Sequence, residues 1–157
     1  MEYVGIHKKG ELKLSELLKS IKEKADFYRA GAIATFVGVV RGETLDGEKV
    51  EELELQAYNE EANKVLSGIC EDLKKREGII DVQIHHFVGE FNIGEDLVYV
   101  AVAGAHRENV FMVLEDAVER YKSEAPVFKK EHIVDETGAR ESYWVSEREA
   151  QEKRRVK

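Results

Sequence analysis

One proline stands in the whole chain, at position 126, and it separates two kinds of sequence. Before it, Val110, Val113, Leu114, Ala117, Val118 and Tyr121 recur at steps of three and four, which predicts a helix ending near Lys122. After it, residues 128 to 134 read as a strand. Proline cannot continue a helix, and its ring pushes the preceding residue toward extended backbone. The stretch Lys122-Ser123-Glu124-Ala125-Pro126-Val127-Phe128-Lys129-Lys130-Glu131 is therefore a rigid corner with lysines on both arms. Such a corner suits an anion, or presents an amine to an electrophile.

The remaining pattern mixes helix and strand periods. Leu14, Leu17, Leu18, Ile21 and Ala25 predict a first helix over about 14 to 28. Ala32-Ile33-Ala34-Thr35-Phe36-Val37-Gly38-Val39-Val40-Arg41 is β-rich. The turn signal Asp46-Gly47 follows, and then Val50, Leu53, Leu55 and Ala57, which predicts a hairpin. Ala62, Val65, Leu66, Ile69, Cys70 and Leu73 form the apolar stripe of a second helix. Strands are expected over 79 to 88 and 97 to 103 around a loop at 89 to 96, with short final strands at 128 to 134 and 143 to 145. The expected class is α+β, a largely antiparallel sheet with helices packed on one face.

At 157 residues the chain suits a single domain, with a charged tail over 148 to 157. The 24 basic and 32 acidic residues give a net charge of −8, which disfavours a nucleic-acid backbone as partner. No apolar run nears the roughly 20 residues of a membrane span, and the N-terminus shows no signal-peptide pattern. The expectation is a soluble cytoplasmic protein. One cysteine, Cys70, allows no internal disulfide, and on an apolar helix stripe it reads as an inert core residue. His85 and His86 are neighbours in a strand and point to opposite faces, one expected to be packed and the other exposed. His7 and His132 have no partner in the sequence, and no metal site or cofactor is expected.

Gly104-Ala105-His106-Arg107 marks the start of the third helix. Helix N-termini attract anions, and an arginine there makes sense with an anion between it and the helix. A solvated loop explains the residue types equally well. Arg41, by its type alone, is the charged exit of an apolar strand. His106 and Lys122 bracket one helix 16 residues apart, roughly 24 Å at 1.5 Å per residue. One small ligand cannot easily touch both ends within one subunit. Either there are two sites, or a symmetric dimer builds one pocket from the helix ends of two chains.

Five segments occur in an order that is similar to one family: Phe36-Val37-Gly38-Val39-Val40-Arg41, Gly89-Glu90-Phe91-Asn92-Ile93-Gly94-Glu95, Ala105-His106-Arg107, the lysine corner, and Trp144-Val145. Over about residues 31 to 148 the chain resembles the large, catalytic subunit of molybdopterin synthase. The resemblance implies an α/β-hammerhead fold and a sulfur-transfer reaction. A small ubiquitin-like partner would bring a thiocarboxylate on its C-terminal glycine, and two sulfurs would pass to cyclic pyranopterin monophosphate (precursor Z), giving a dithiolene. It also implies a homodimer with a small subunit at each end. Matched by motif, Lys122 and Lys129 would be catalytic. Val39, Val40, Arg41, His106, Arg107, Lys130 and Glu131 would line the substrate pocket, with Arg148 reaching in from the second subunit. Phe87 and the pair Val127-Phe128 depart from the family pattern. The competing readings are a non-catalytic dimeric module that binds a phosphorylated small molecule or a partner's tail, and a purely structural dimer with solvated charges.

Overall fold

The alternation of both periods resolves into one seven-stranded sheet and three α-helices in a computed structural model. It describes residues 4–44 and 46–146. In chain order the elements are β1 (Gly5–Lys8), α1 (Leu14–Lys22), β2 (Ala32–Val39), β3 (Lys49–Ala57), α2 (Asn59–Lys74), β4 (Ile79–Asn92), β5 (Asp96–Gly104), α3 (Arg107–Glu124), β6 (Val127–Val134) and β7 (Arg140–Ser146). The strand order is β2-β5-β4-β3-β6-β7, antiparallel throughout, and β1 runs parallel to β4. The expected α+β class with a largely antiparallel sheet is what the chain adopts.

β4 organises the sheet. Its first part pairs with β5, residues 85–88 pair with β1, and residues 89–92 cross to β3. Gly89, at φ 131°, allows the strand to continue through what the sequence marks as a loop. The turn to β5 is therefore confined to 93–95. β1 was not anticipated, because four residues are too few to display a period.

The hairpin expected between β2 and β3 does not form. β2 pairs with β5 over its whole length, and β3 lies between β4 and β6. The Asp46-Gly47 turn is real, but it closes only a narrow neck at Glu43↔Lys49. The physical reason is burial. β5 is apolar on both faces from Val98 to Ala103, and it draws the apolar β2 to its free side.

α2 and α3 lie side by side, joined by Arg120–Asp72, and α3 packs on β2 and β5. α1 meets β5 from the other side, where Tyr99 approaches the backbone of Leu14. With cover on both sides, β4 buries both of its adjacent histidines: His85 is 0% and His86 2% exposed. The expectation of one exposed histidine fails for that reason. His86 packs edge-on to Tyr121 of α3. His85 heads a buried polar chain on the opposite face. His7 of β1 lies 2.9 Å away, Gln83 2.8 Å, and Gln83 in turn donates to Asp81 at 2.8 Å. Asp81 is held by Lys24 at 3.1 Å and Lys74 at 3.4 Å. Cys70 is buried, and desolvation pushes its thiol up to about 12, so it is inert core as expected.

Candidate active site

The proline corner forms where the sequence puts it. α3 ends at Glu124, Ala125 is extended (φ −77°, ψ 133°), and β6 begins at Val127. The Pro126 carbonyl accepts from the Tyr58 amide at 3.3 Å, which ties the corner to the start of α2. Lys122 sits in the last turn of α3, where a cation complements the helix dipole, with its ammonium 5.9 Å from the Tyr121 ring centroid. Tyr121 is itself buried against His86, so the base of that arm is rigid.

Strand alternation separates the two lysines of the other arm. Lys129 shares a face with Glu131; their charged ends are 3.7 Å apart and their side chains 17% and 16% exposed. Their register partners Leu55 and Leu53 are buried core residues. Lys130 points to the opposite face, with its ammonium 5.6 Å from the Trp144 ring centroid. One face of β6 thus offers a half-sheltered ammonium–carboxylate pair, and the other a cation resting on an exposed aromatic ring.

Arg41 emerges just past β2 and is exposed. Val40 beside it is clamped into the β4–β5 turn: its N–H donates to the Glu95 carbonyl at 3.0 Å and its carbonyl accepts from the Gly94 N–H at 2.9 Å. Val40 is 3% exposed and Val39 51%, so only Val39 offers its side chain to a ligand. Lys9 anchors the same turn through Glu95 at 2.8 Å.

His106 and Arg107 lie at the far end of the molecule. His106 caps α3 with extended backbone, and Arg107 is exposed beside Glu108 at 3.7 Å. Three segments cross there within backbone distance. The Gly31 N–H donates to the Gly104 carbonyl at 2.9 Å, and the Ala105 N–H to the Gly78 carbonyl at 2.8 Å. A Cβ on Gly31 would fall 2.3 Å from the Ala105 carbonyl oxygen. The crossing therefore depends on a residue without a side chain at that point.

The strand and helix directions decide which residues can meet. β2 runs from Ala32, opposite Gly104, to Val39, opposite Asp96. α3 returns over β5 in the reverse sense. Arg41 and the Lys122 end of α3 therefore share one end of this layer, and His106 and Arg107 the other, about 24 Å apart along the helix. Lys129 and Glu131 converge; Arg41 and Arg107 do not meet within one chain. Arg148 lies outside the described residues. Among the described residues no group of histidine, cysteine, aspartate or glutamate has the arrangement of a metal site. Among the described residues no helix is long and apolar enough to cross a membrane. The sequence patterns gave no sign of the buried Asp81–Gln83–His85–His7 chain; the only available signal was polar residues at every second position of a strand.

Comparison with known proteins places this geometry. A family model described as MoaE protein matches residues 6–124. The chain is 41% identical over 120 residues to a probable molybdopterin synthase of Haloferax volcanii, covering 76% of this chain and 44% of that protein. It is 36% identical to a molybdopterin synthase catalytic subunit of Nostoc sp., covering 82% of this chain and 76% of that one. The crystal structure of molybdopterin synthase from Staphylococcus aureus superposes with a TM-score of 0.77 at 29% identity, covering 92% of this chain and 98% of that one. A Helicobacter pylori complex of subunits 1 and 2 of molybdopterin-converting factor contains a chain that superposes at 0.66 with 26% identity, covering 87% of this chain and 86% of that one. The chain spans less than half the length of the Haloferax relative. With the lysine corner, the helix-cap pair and the hammerhead-like sheet in place, the match over residues 6–124 decides the matter: this chain belongs to the MoaE family.

Proposed function

We propose that this chain is the catalytic subunit of a molybdopterin synthase. It would transfer sulfur from the C-terminal thiocarboxylate of a small ubiquitin-like partner to cyclic pyranopterin monophosphate, forming the dithiolene of molybdopterin. The observation that carries the reading is the pair of lysine arms at one rigid corner, Lys122 on α3 and Lys129 beside Glu131 on β6, in a chain of this family. A phosphate-bearing pterin needs several cations around it, and Arg41, His106, Arg107 and Lys130 supply them. The nucleophilic sulfur would arrive on the partner, which fits a chain whose single thiol is buried and held protonated. Lys122 and Lys129 would stabilise the acyl intermediate or transfer a proton during the sulfur transfer, and Glu131 would hold the Lys129 ammonium in place. Val39 would pack against the ligand beside Arg41, and Arg148 would come from the second subunit. The working form would be a homodimer, a single domain per chain, acting in the cytoplasm.

The test is a sulfur-transfer assay with a thiocarboxylated carrier and cyclic pyranopterin monophosphate, following dithiolene product. Turnover is expected, and Lys122→Ala should abolish it while carrier binding persists. Carrier binding without turnover in the unaltered protein would favour the binding-module reading, in which Arg41 and Arg107 matter and Lys122 does not.

A further inference from the structure

Arg41 stands just past the end of β2 with its side chain exposed, so its position is set by the backbone on either side of it. Both sides rest on the β4–β5 turn. Before Arg41, the Val40 N–H donates to the Glu95 carbonyl at 3.0 Å, and the Val40 carbonyl accepts from the Gly94 N–H at 2.9 Å. After it, Gly42 passes so close to the turn that a Cβ there would meet Ile93 Cδ1 at 3.3 Å. The Gly42 carbonyl also accepts from the Val50 N–H at 3.0 Å, which fixes the far end of the segment. Where the turn moves, Arg41 moves with it.

One carboxylate closes that turn. The Glu95 N–H donates to the Asn92 carbonyl at 3.2 Å, and Gly94 takes the positive φ (85°) that the reversal needs. A single Glu95 carboxylate oxygen accepts from the Asn92 N–H at 2.6 Å and from the Lys9 ammonium at 2.8 Å. These contacts, Lys9 first, hold the Glu95 carboxyl below its ordinary range. Lys9 comes from the loop after β1 and belongs to none of the five motif segments. Its ammonium also donates to the Glu90 carbonyl at 3.1 Å and lies 5.5 Å from the Phe91 ring centroid. Its own N–H donates to the Val88 carbonyl at 3.1 Å. An isolated surface ion pair holds little, because two long side chains must be ordered to make it. Here three contacts with β4 order the lysine already, so its charge is a fixed support for Glu95. We propose that Lys9 and Glu95 are positioning residues for Arg41, setting through the β4–β5 turn where its guanidinium meets the anionic pterin. The role of Arg41 itself rests on the function proposed above; Lys9 and Glu95 add the support that aims it.

Lys9→Met keeps an unbranched chain over Phe91 and removes the charged donor, whereas Lys9→Arg keeps both. With thiocarboxylated carrier at saturation, Lys9→Met should raise KM for cyclic pyranopterin monophosphate about three- to tenfold and leave kcat within about twofold. Lys9→Arg should recover most of that loss. The effect of Lys9→Met on kcat/KM should also vanish in an Arg41→Ala background, since a support matters only while the residue it aims is present. Amide hydrogen exchange reads the same support without turnover. Lys9→Met should speed exchange of the Val40 and Gly94 amides about tenfold and leave the buried amides of β5 unchanged. An unchanged KM, a loss that persists in full beside Arg41→Ala, or unchanged exchange at Val40 and Gly94 would each overturn the inference. No turnover by the unaltered protein would sink the functional reading alone; faster exchange at Val40 and Gly94 in Lys9→Met would still uphold the placement of Arg41.

Discussion

Acidification should strike this protein through His85. The hydrogen bonds around it have one consistent direction. The Gln83 amide donates to Asp81, which leaves its oxygen to accept from His85 Nε2–H, and His85 Nδ1 must then accept from His7 Nε2–H at 2.9 Å. A proton added at Nδ1 would set two N–H groups head-on in a site that is 0% exposed. Burial, with His7 adding to it and Asp81 opposing, lowers the imidazole from 6.5 to about 4. The unfolded chain binds this proton first, so the stabilisation from neutral His85 is complete above 6.5 and is lost as the pH falls toward 4. Each tenfold rise in proton concentration across that window costs about 1.4 kcal/mol, which makes roughly 3 kcal/mol by pH 4. For a chain of this length that is a fall in Tm on the order of 6–12 °C. Carboxylates elsewhere also titrate, so the assay compares Tm from pH 7 to pH 4 for the unaltered protein and for His85→Gln. The glutamine variant keeps a polar group in the chain but has nothing to protonate. It should start lower at pH 7 and fall less steeply. Parallel melting curves for the two proteins would refute the reasoning.

Two further outcomes follow from the same geometry. Gly31→Ala drives a Cβ to 2.3 Å from the Ala105 carbonyl oxygen, against backbone rather than a side chain that could turn away. It should cost about 1–3 kcal/mol by thermal or urea unfolding and weaken turnover by shifting His106 and Arg107, whereas a neutral result would mean that the crossing can open without cost. Mixing His106→Ala/Arg107→Ala chains with Lys122→Ala chains should restore one intact pocket per mixed dimer, and activity no higher than that of either parent would rule out a pocket shared between subunits.

Much of the site was legible because its signals are local. A lone proline between a helical stripe and a strand fixes a corner by steric rules alone, and α3 and β6 begin and end around it as those rules require. The class of fold followed from two hydrophobic periods, and Cys70 followed from its place on a stripe. Apart from the short β1 and the run of β4 through 89–92, the failures are questions of pairing and cover. Asp46-Gly47 is a good turn signal, yet β2 left β3 for β5, since a turn sets only where the chain reverses and burial chooses which apolar strands adjoin. His85 and His86 alternate as expected, but whether each face is covered depends on distant helices, α1 at Leu14–Lys22 and α3 at Arg107–Glu124, whose Tyr121 packs on His86.

The amino-acid sequence by itself determined most of the elements, the cationic residue types and the rigid corner between Lys122 and Lys129, because helix period, strand period and proline stereochemistry act over a few residues. Tertiary structure alone decided that Lys129 turns inward with Glu131 while Lys130 turns to Trp144, that β2 becomes an open edge, and that His7 closes a buried chain reaching Asp81. Those outcomes depend on long-range competition for burial, in which each strand pairs where the most apolar surface leaves water and every enclosed polar group must find a partner.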